Sequence, residues 1–531
     1  MTPSFWFRDT LIILGVILAG INLWQPTLPW LRQGKIYVSP QGKDWYLGGS
    51  SQTAVRTIQR AANLTAPGEE IIILPGIYRE ELRIRRGGRP NRPITFRAEQ
   101  PGTVTITNQA PTEVTASLVW QAEGGGIYSA ATLWPIYFAL YGNRILYHVR
   151  WGGLERLQTL TAQPNAYGAF TFDPNGNRLY LFLPNGENPD NNKLAIHRRI
   201  PSPREWGNSR VANIWLEAKH LVFDGLNLEL GVGSSFLLWD SGHVTIKNCL
   251  LTGASIGISG QPHLQAPSHL TVEHNLYHNY PQYKWLRQWL PWRDVYAHYS
   301  TSSLISSSAP HLTVRHNLVT HSGDALQISP RLNYPDQNGA DIYGNLLMYG
   351  TDDAIEMDGL AQQIHFHRNL VYDFYQNLGT SPVLTGPVLV ENNRFLHPAG
   401  GVNGSQVKLL NPWYKPGAPD NRSPIQNIHI RDNTFVGNYL AYWGPPVENV
   451  VVEDNTFAVQ GSKDPPWHPG VTVRDNRMIT LPRSGHPNPG TDPQWWAGWS
   501  IPRPGPHWLN YDQHPATQEI PQVLSPALFK E

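Results

Sequence analysis

Residues 351–359 read TDDAIEMDG and place Asp352, Asp353, Glu356 and Asp358 within seven positions, with no basic residue beside them. Only 15% of the chain is charged, so the cluster is a local concentration. Carboxylates this close raise one another's pKa unless a proton, a cation or open water relieves them. Two chemistries exploit that tension. Glycoside hydrolysis uses a pair of carboxyl groups, one protonated and one ionised. A hard cation such as Ca²⁺ gathers six to eight oxygen ligands. The bland reading is that turn aspartates cap backbone amides on a solvated face.

A second stretch, SGDALQIS (322–329), aligns with TDDAIEMD (351–358) and pairs Asp324 with Asp353, Leu326 with Ile355, Gln327 with Glu356 and Ile328 with Met357. On strands, alternate side chains face opposite ways, so inward apolar members leave Gln327, Glu356 and Asp358 outward. Equivalent residues of neighbouring parallel strands lie about 4.8 Å apart. Asp324 and Asp353 are then expected as stacked carboxylates, with Glu356 further along the same outer face.

The elements that would impose this register form a repeat. From residue 211 onward the chain reads LVFDGLNL, VTIKNCLL, LTVEHNLY, LTVRHNLV, ADIYGNLL, IHFHRNLV, VLVENNRF, IHIRDNTF, VVVEDNTF and VTVRDNRM. Each unit alternates apolar positions, then carries a polar pair, an Asn, one residue and an apolar residue. The asparagines are Asn275, Asn317, Asn345, Asn369, Asn393, Asn433, Asn455 and Asn476, spaced 42, 28, 24, 24, 40, 22 and 21 residues apart, with Leu226 and Cys249 in the same place in the first two units. A unit of twenty-odd residues with occasional long insertions is the mark of a solenoid. Alternation of period two makes it strands. One Asn per coil predicts an internal amide ladder at a bend, where Asn tolerates left-handed backbone.

These motifs resemble the right-handed parallel β-helix proteins of the pectate-lyase-like group, over nearly everything after residue 35. The resemblance implies an all-β fold, a right-handed parallel β-helix (solenoid) with an N-terminal capping helix, an inserted small β domain and an N-terminal hydrophobic segment. IYVSPQGKDW followed by AVRTIQRAANLTAPGEEIIILPGIYREELRI (54–84) is similar to that group's N-terminal cap, with a helix over about 54–64. A cap covers a coil end that would otherwise expose unpaired backbone groups. GAFTFD and LYLFLPNGENP, within a run of short hairpin strands, resemble the β-sandwich insertion of β-helix glycoside hydrolases of the β-xylosidase kind. The expected organisation is a signal or anchor segment (1–30), cap and first coils (36–106), the insertion (107–205), the main β-helix (206–480) and a Pro- and Trp-rich tail (481–531).

The resemblance also implies roles. The glycosidases of this kind use an Asp and a Glu on the helix exterior, which points to Asp324 or Asp353 as nucleophile or base and Glu356 as acid, with no cofactor. Polysaccharide lyases on the same scaffold combine Ca²⁺ with a Lys or Arg base. In that alternative, which extends to a uronate epimerase, Asp352, Asp353, Glu356 and Asp358 hold the ion. Lys408 of SQVKLLN (405–411), in the strand column two coils beyond Glu356, is then the base, and Arg331 an acid or substrate clamp. A non-catalytic glycan-binding envelope protein is the further alternative.

Two long coil insertions flank the acidic stretch. Residues 280–310 carry Trp285, Trp289 and Trp292, and residues 409–424 carry Trp413 and Tyr414, all expected as walls of a saccharide cleft. The three tryptophans also fit one face of a short helix. His274, His316, His365 and His367 read as surface or ladder-adjacent residues, with no pairing that suggests a transition-metal site.

A net charge of +1 gives no reason to invoke nucleic acid. One cysteine excludes an intramolecular disulfide. The apolar run LIILGVILAGINLW (11–24), behind Arg8 and Asp9, has the length of a signal core, and with FWF (5–7) approaches that of a span. The expectation is an exported protein, periplasmic or extracellular, anchored or led by residues 5–24. It acts as a monomer on a poly- or oligosaccharide and touches the membrane through that segment only.

Overall fold

The computed structural model describes residues 33–530 apart from 143, 151, 164–165, 167, 184–185, 199–210, 261–267, 280–301, 329–338, 358, 381–382, 399–404, 409–423, 438–446, 461–466, 468, 483–487, 497 and 503–523. The chain is a parallel β-solenoid. Thirteen strands, from Lys35–Val38 to Val471–Arg474, form one sheet in which successive members pair in parallel. A second sheet of 18 strands holds the two other faces of each coil. Long members such as Leu346–Asp353 and Leu370–Gly379 bend from one of these faces towards the next.

The period-two pattern sets the core. In Leu312–Arg315 and Ile364–His367 the apolar residues are buried and their polar neighbours are not. Because the coils are in register, like stacks on like inside. Phe395 lies over Phe435 at 4.6 Å between ring centroids, and Phe435 over Phe457 at 4.9 Å. Such stacked aromatic pairs add to the burial of their area.

The asparagine ladder runs unbroken from Asn275 to Asn476. Each side-chain Nδ2 donates to the Oδ1 of the next Asn at 2.9–3.1 Å, and each main-chain N–H donates to the same oxygen. Cys249 occupies the rung before Asn275, with its N–H on Asn275 Oδ1 at 3.0 Å. The bend itself lies one residue earlier than the sequence suggests. His274, His316, Gly344, Arg368, Asn392, Asp432, Asp454 and Asp475 carry the left-handed backbone, at φ of 51–62°, and the ladder asparagines do not. The Asn must keep its own N–H aimed at the next amide, so the turn falls on the preceding residue. That position accordingly favours Asp, Asn, Gly and His.

The helix expected near 54–64 spans Ile58–Leu64. Thr57 caps it, and the Glu80 carboxylate accepts from the N–H groups of Ile58 and Gln59 at 2.9 and 3.0 Å. Ile58, Ala61, Ala62 and Leu64 join the solenoid core, and the helix lies against strands 35–38, 70–73 and 82–84. Between Val104–Thr107 and Ala212–Leu216 the chain leaves the solenoid and forms a five-stranded and a three-stranded sheet. It also forms a helix, Gly153–Thr161, that hairpin signals alone do not predict. Among the described residues no helix is long and apolar enough to cross a membrane. The run at 5–24 lies outside them.

Candidate active site

Asp324 sits between strands Leu318–Ser322 and Leu326–Ile328, and Asp353 ends the strand Leu346–Asp353 one coil later. The bend is tied by main-chain bonds from Gly323 to Ser302, from Ala325 to Asp353 and from Ala354 to Gln376, all at 2.8–3.0 Å. In the next strand pair Leu326 faces Ile355, Gln327 faces Glu356 and Ile328 faces Met357. Leu326, Ile328, Ile355 and Met357 are core residues. Glu356, half-buried, therefore projects outward beside Gln327, as alternation requires.

Side-chain bonds join the two coils. The Asp353 N–H donates to Asp324 Oδ1 at 3.0 Å. Gln327 Nε2 donates to Asp324 Oδ2 at 2.6 Å and approaches Glu356 Oε2 at 3.5 Å. One oxygen each of Asp324, Asp352 and Asp353 lies within 4.8 Å of the other two. Burial holds the Asp324 carboxyl well above the ordinary aspartate range. The charges of Glu356, Asp352 and Asp353 push it the same way, and the Asp353 N–H opposes them.

Asp324 and Asp353 do not stand on an open outer face as the sequence suggests. They are 4% and 1% exposed, whereas Asp352 and Glu356 are half-buried. The reason lies at Gly379, where a Cβ would come within 2.5 Å of Asp353 Oδ2. The missing side chain leaves the space that the Asp353 carboxylate fills. Gly379 does not stand out in the sequence, and the register that pairs Gln327 with Glu356 does not by itself show the bond from Gln327 to Asp324.

Lys408 lies in the expected column. Glu356 pairs with Gly379, and Gly379 with Lys408, on consecutive strands. The structure thus brings together Asp324, Asp352, Asp353 and Glu356 and aligns Lys408 with them along the backbone. Asp358, Arg331, Trp285, Trp289, Trp292, Trp413 and Tyr414 lie outside the described residues. The three acidic oxygens fit a hard cation in donor type and spacing.

No protein-family model matches the chain. Over 75 residues it is 33% identical to the uncharacterized protein YwoF of Bacillus subtilis (strain 168), a stretch covering 14% of this chain and 16% of that protein. Among solved structures, one described as a glycoside hydrolase is 12% identical with a TM-score of 0.48, over 84% of this chain and 96% of that one. XylC in complex with xylose is 13% identical with a TM-score of 0.41, over 83% and 70%. Pectate lyase Pel9A is 9% identical with a TM-score of 0.40, over 86% and 83%.

Proposed function

We propose that this chain is a carbohydrate-active enzyme, a glycoside hydrolase acting as an exported monomer on a poly- or oligosaccharide, with Asp324 and Glu356 at the reaction centre. The observation that carries this reading is the single amide nitrogen of Gln327 that meets both carboxyl groups. One nitrogen 2.6 Å from one carboxyl and 3.5 Å from the other holds their facing oxygens no more than about 6 Å apart, a span that includes the roughly 5–5.5 Å of retaining glycosidase carboxyls.

The roles follow from environment. Asp324 keeps its proton because burial and three neighbouring carboxylates oppose its ionisation. It is the general acid and delivers that proton to the glycosidic oxygen as the bond breaks. Glu356, half-buried and nearer the surface, is the carboxylate that faces the positive charge developing at the anomeric carbon, and water completes the reaction, its oxygen bonding to that carbon and a proton returning to Asp324. This exchanges the parts expected of Asp324 and Glu356 from the resemblance. Asp353 is a positioning residue: its N–H holds Asp324, and its charge helps to keep the proton there.

A second reading is supported by the register of Lys408 and the three gathered aspartate oxygens. In a polysaccharide lyase or uronate epimerase, Asp324, Asp352 and Asp353 would hold Ca²⁺, which neutralises a uronate carboxylate and acidifies the adjacent C–H. Lys408 would then be the base that removes that proton.

The test is release of reducing ends from a panel of neutral and acidic polysaccharides. Asp324→Asn and Glu356→Gln should each reduce turnover by about 10²-fold or more, with an unchanged far-ultraviolet spectrum. Activity that survives both variants removes the assignment. Binding that persists without any turnover favours the glycan-binding envelope protein.

A further inference from the structure

A second constellation lies on the 13-stranded sheet, away from the acidic bend. His365 and His367 alternate with the buried Ile364 and Phe366, so both imidazoles stand on the outer face, stacked at 3.9 Å between centroids. Asp341, on the preceding coil, pairs with His365 in register. Its Oδ1 lies 2.9 Å from His367 Nε2 and 3.8 Å from His365 Nδ1, and one ligand atom from each of the three residues falls within 4.8 Å of the others.

The fourth member orients the His365 ring. His365 Nε2 meets Glu391 Oε1 at 2.8 Å, and the other Glu391 oxygen accepts from Arg431 at 2.6 and 2.8 Å. Glu391 thus orients the His365 ring and leaves its Nδ1 on the side of Asp341, 3.8 Å from Oδ1. A metal-bound His whose second nitrogen donates to a carboxylate is a recurrent arrangement.

The Arg–Glu–His chain alone is a sheet-building unit. It recurs as Arg474–Glu453–His429, where the cross-strand neighbours of His429 are Leu389 and Val451, and Arg431 lies two residues on. Among the described residues, a second imidazole and a further carboxylate join it only at His365.

We propose that Asp341, His365 and His367 form a binding site for a divalent transition-metal ion of the zinc class, with Glu391 orienting His365. Two imidazole nitrogens and one carboxylate oxygen suit Zn²⁺ or Co²⁺ and leave a position for water. The nitrogen donors set this site apart from the all-oxygen cluster around Asp324, which suits Ca²⁺. Side-chain exposures of 53%, 36% and 19% for Asp341, His365 and His367 leave the site open to an ion from solution.

The test is calorimetric titration of the tag-free, chelator-stripped full chain with Zn²⁺, with Co²⁺ absorption as a second readout. The expected result is about one Zn²⁺ per chain and the absorption bands of tetrahedral nitrogen- and oxygen-ligated Co²⁺. His367→Gln and Asp341→Asn should each weaken binding at least about ten-fold, Glu391→Gln by about 10–100-fold, and Asp353→Asn not at all. Absence of saturable Zn²⁺ binding, or binding unchanged in His367→Gln with circular dichroism intact, overturns the site. Binding abolished by Asp353→Asn instead assigns the ion to the acidic bend and equally overturns it.

Discussion

The main-chain N–H of Asp353 donates to Oδ1 of Asp324 at 3.0 Å, so the backbone of one coil holds the acidic side chain of the coil before it. Around that bond four carboxyl groups from two coils share one site, and burial together with the charges of the other three pushes the Asp324 carboxyl well above the ordinary aspartate range.

Asp324 should therefore weaken the fold as pH rises. In the unfolded chain it titrates in the ordinary aspartate range, whereas the folded chain keeps the proton to higher pH. Between those limits the unfolded state binds fewer protons, so stability falls with rising pH and levels off once the folded carboxyl has ionised. Asp324→Asn removes the loss. The amide of Gln327 can turn over so that Oε1 accepts from the new Asn. The variant should melt higher than the wild type at pH 8 and lose the advantage towards pH 4, as read by thermal melts across that range. A lower melting temperature at pH 8 contradicts the buried-proton account.

Gly379 tests how Asp353 is seated. A Cβ there would meet Asp353 Oδ2 at 2.5 Å and Cγ at 2.7 Å. Its backbone is not left-handed, so Gly379→Ala acts through contact alone. It should cost about 1–3 kcal/mol by overpacking and lower kcat more than it raises KM. An alanine variant with wild-type kcat would mean that the position of Asp353 is unimportant.

Much of this geometry is legible in the sequence, and the limit has a physical cause. The Asn repeat fixes the register, and register alone places Gln327 beside Glu356 and aligns Glu356 with Lys408 through Gly379. Depth is not encoded in the same way. Whether Asp353 stands in solvent or folds under the surface depends on the absent side chain of Gly379 on the next coil, 26 residues away in the chain. The His365 and His367 pair is read as solvated for a similar reason, since its partner Asp341 belongs to the preceding coil. The left-handed residue before each ladder Asn leaves no sequence signal of its own, because its identity varies among His, Gly, Arg, Asn and Asp.

The ladder itself should bear unequal loads. Asn345 accepts two bonds from Asn317 and donates to Val314 O and to Asn369 Oδ1, all at 2.9–3.0 Å in the core. Asn476 closes the described ladder in a half-buried position, bonded to Asn455, Val452 and Arg474. Asn345→Ala should cost about 2–4 kcal/mol, since it strands several buried partners. Asn476→Ala should cost less than half as much. Equal losses in denaturant midpoints would argue against a ladder that is strongest inside.

Gln327→Leu removes the donor that Asp324 and Glu356 share. With that donor gone, Asp324 should hold its proton to still higher pH, and the alkaline limb of kcat should move upward while the rate at the optimum falls. An unmoved limb would mean that the Gln327 amide does not couple the two carboxyls.

The most direct test of the catalytic assignment is the product formed from the best polysaccharide substrate, assayed with and without a Ca²⁺ chelator, alongside Asp324→Asn. Plain reducing ends, undiminished by chelator and lost in the variant, are the expected products. Unsaturated, ultraviolet-absorbing ends that vanish with chelator would contradict it and transfer the site to Lys408 and a bound calcium ion.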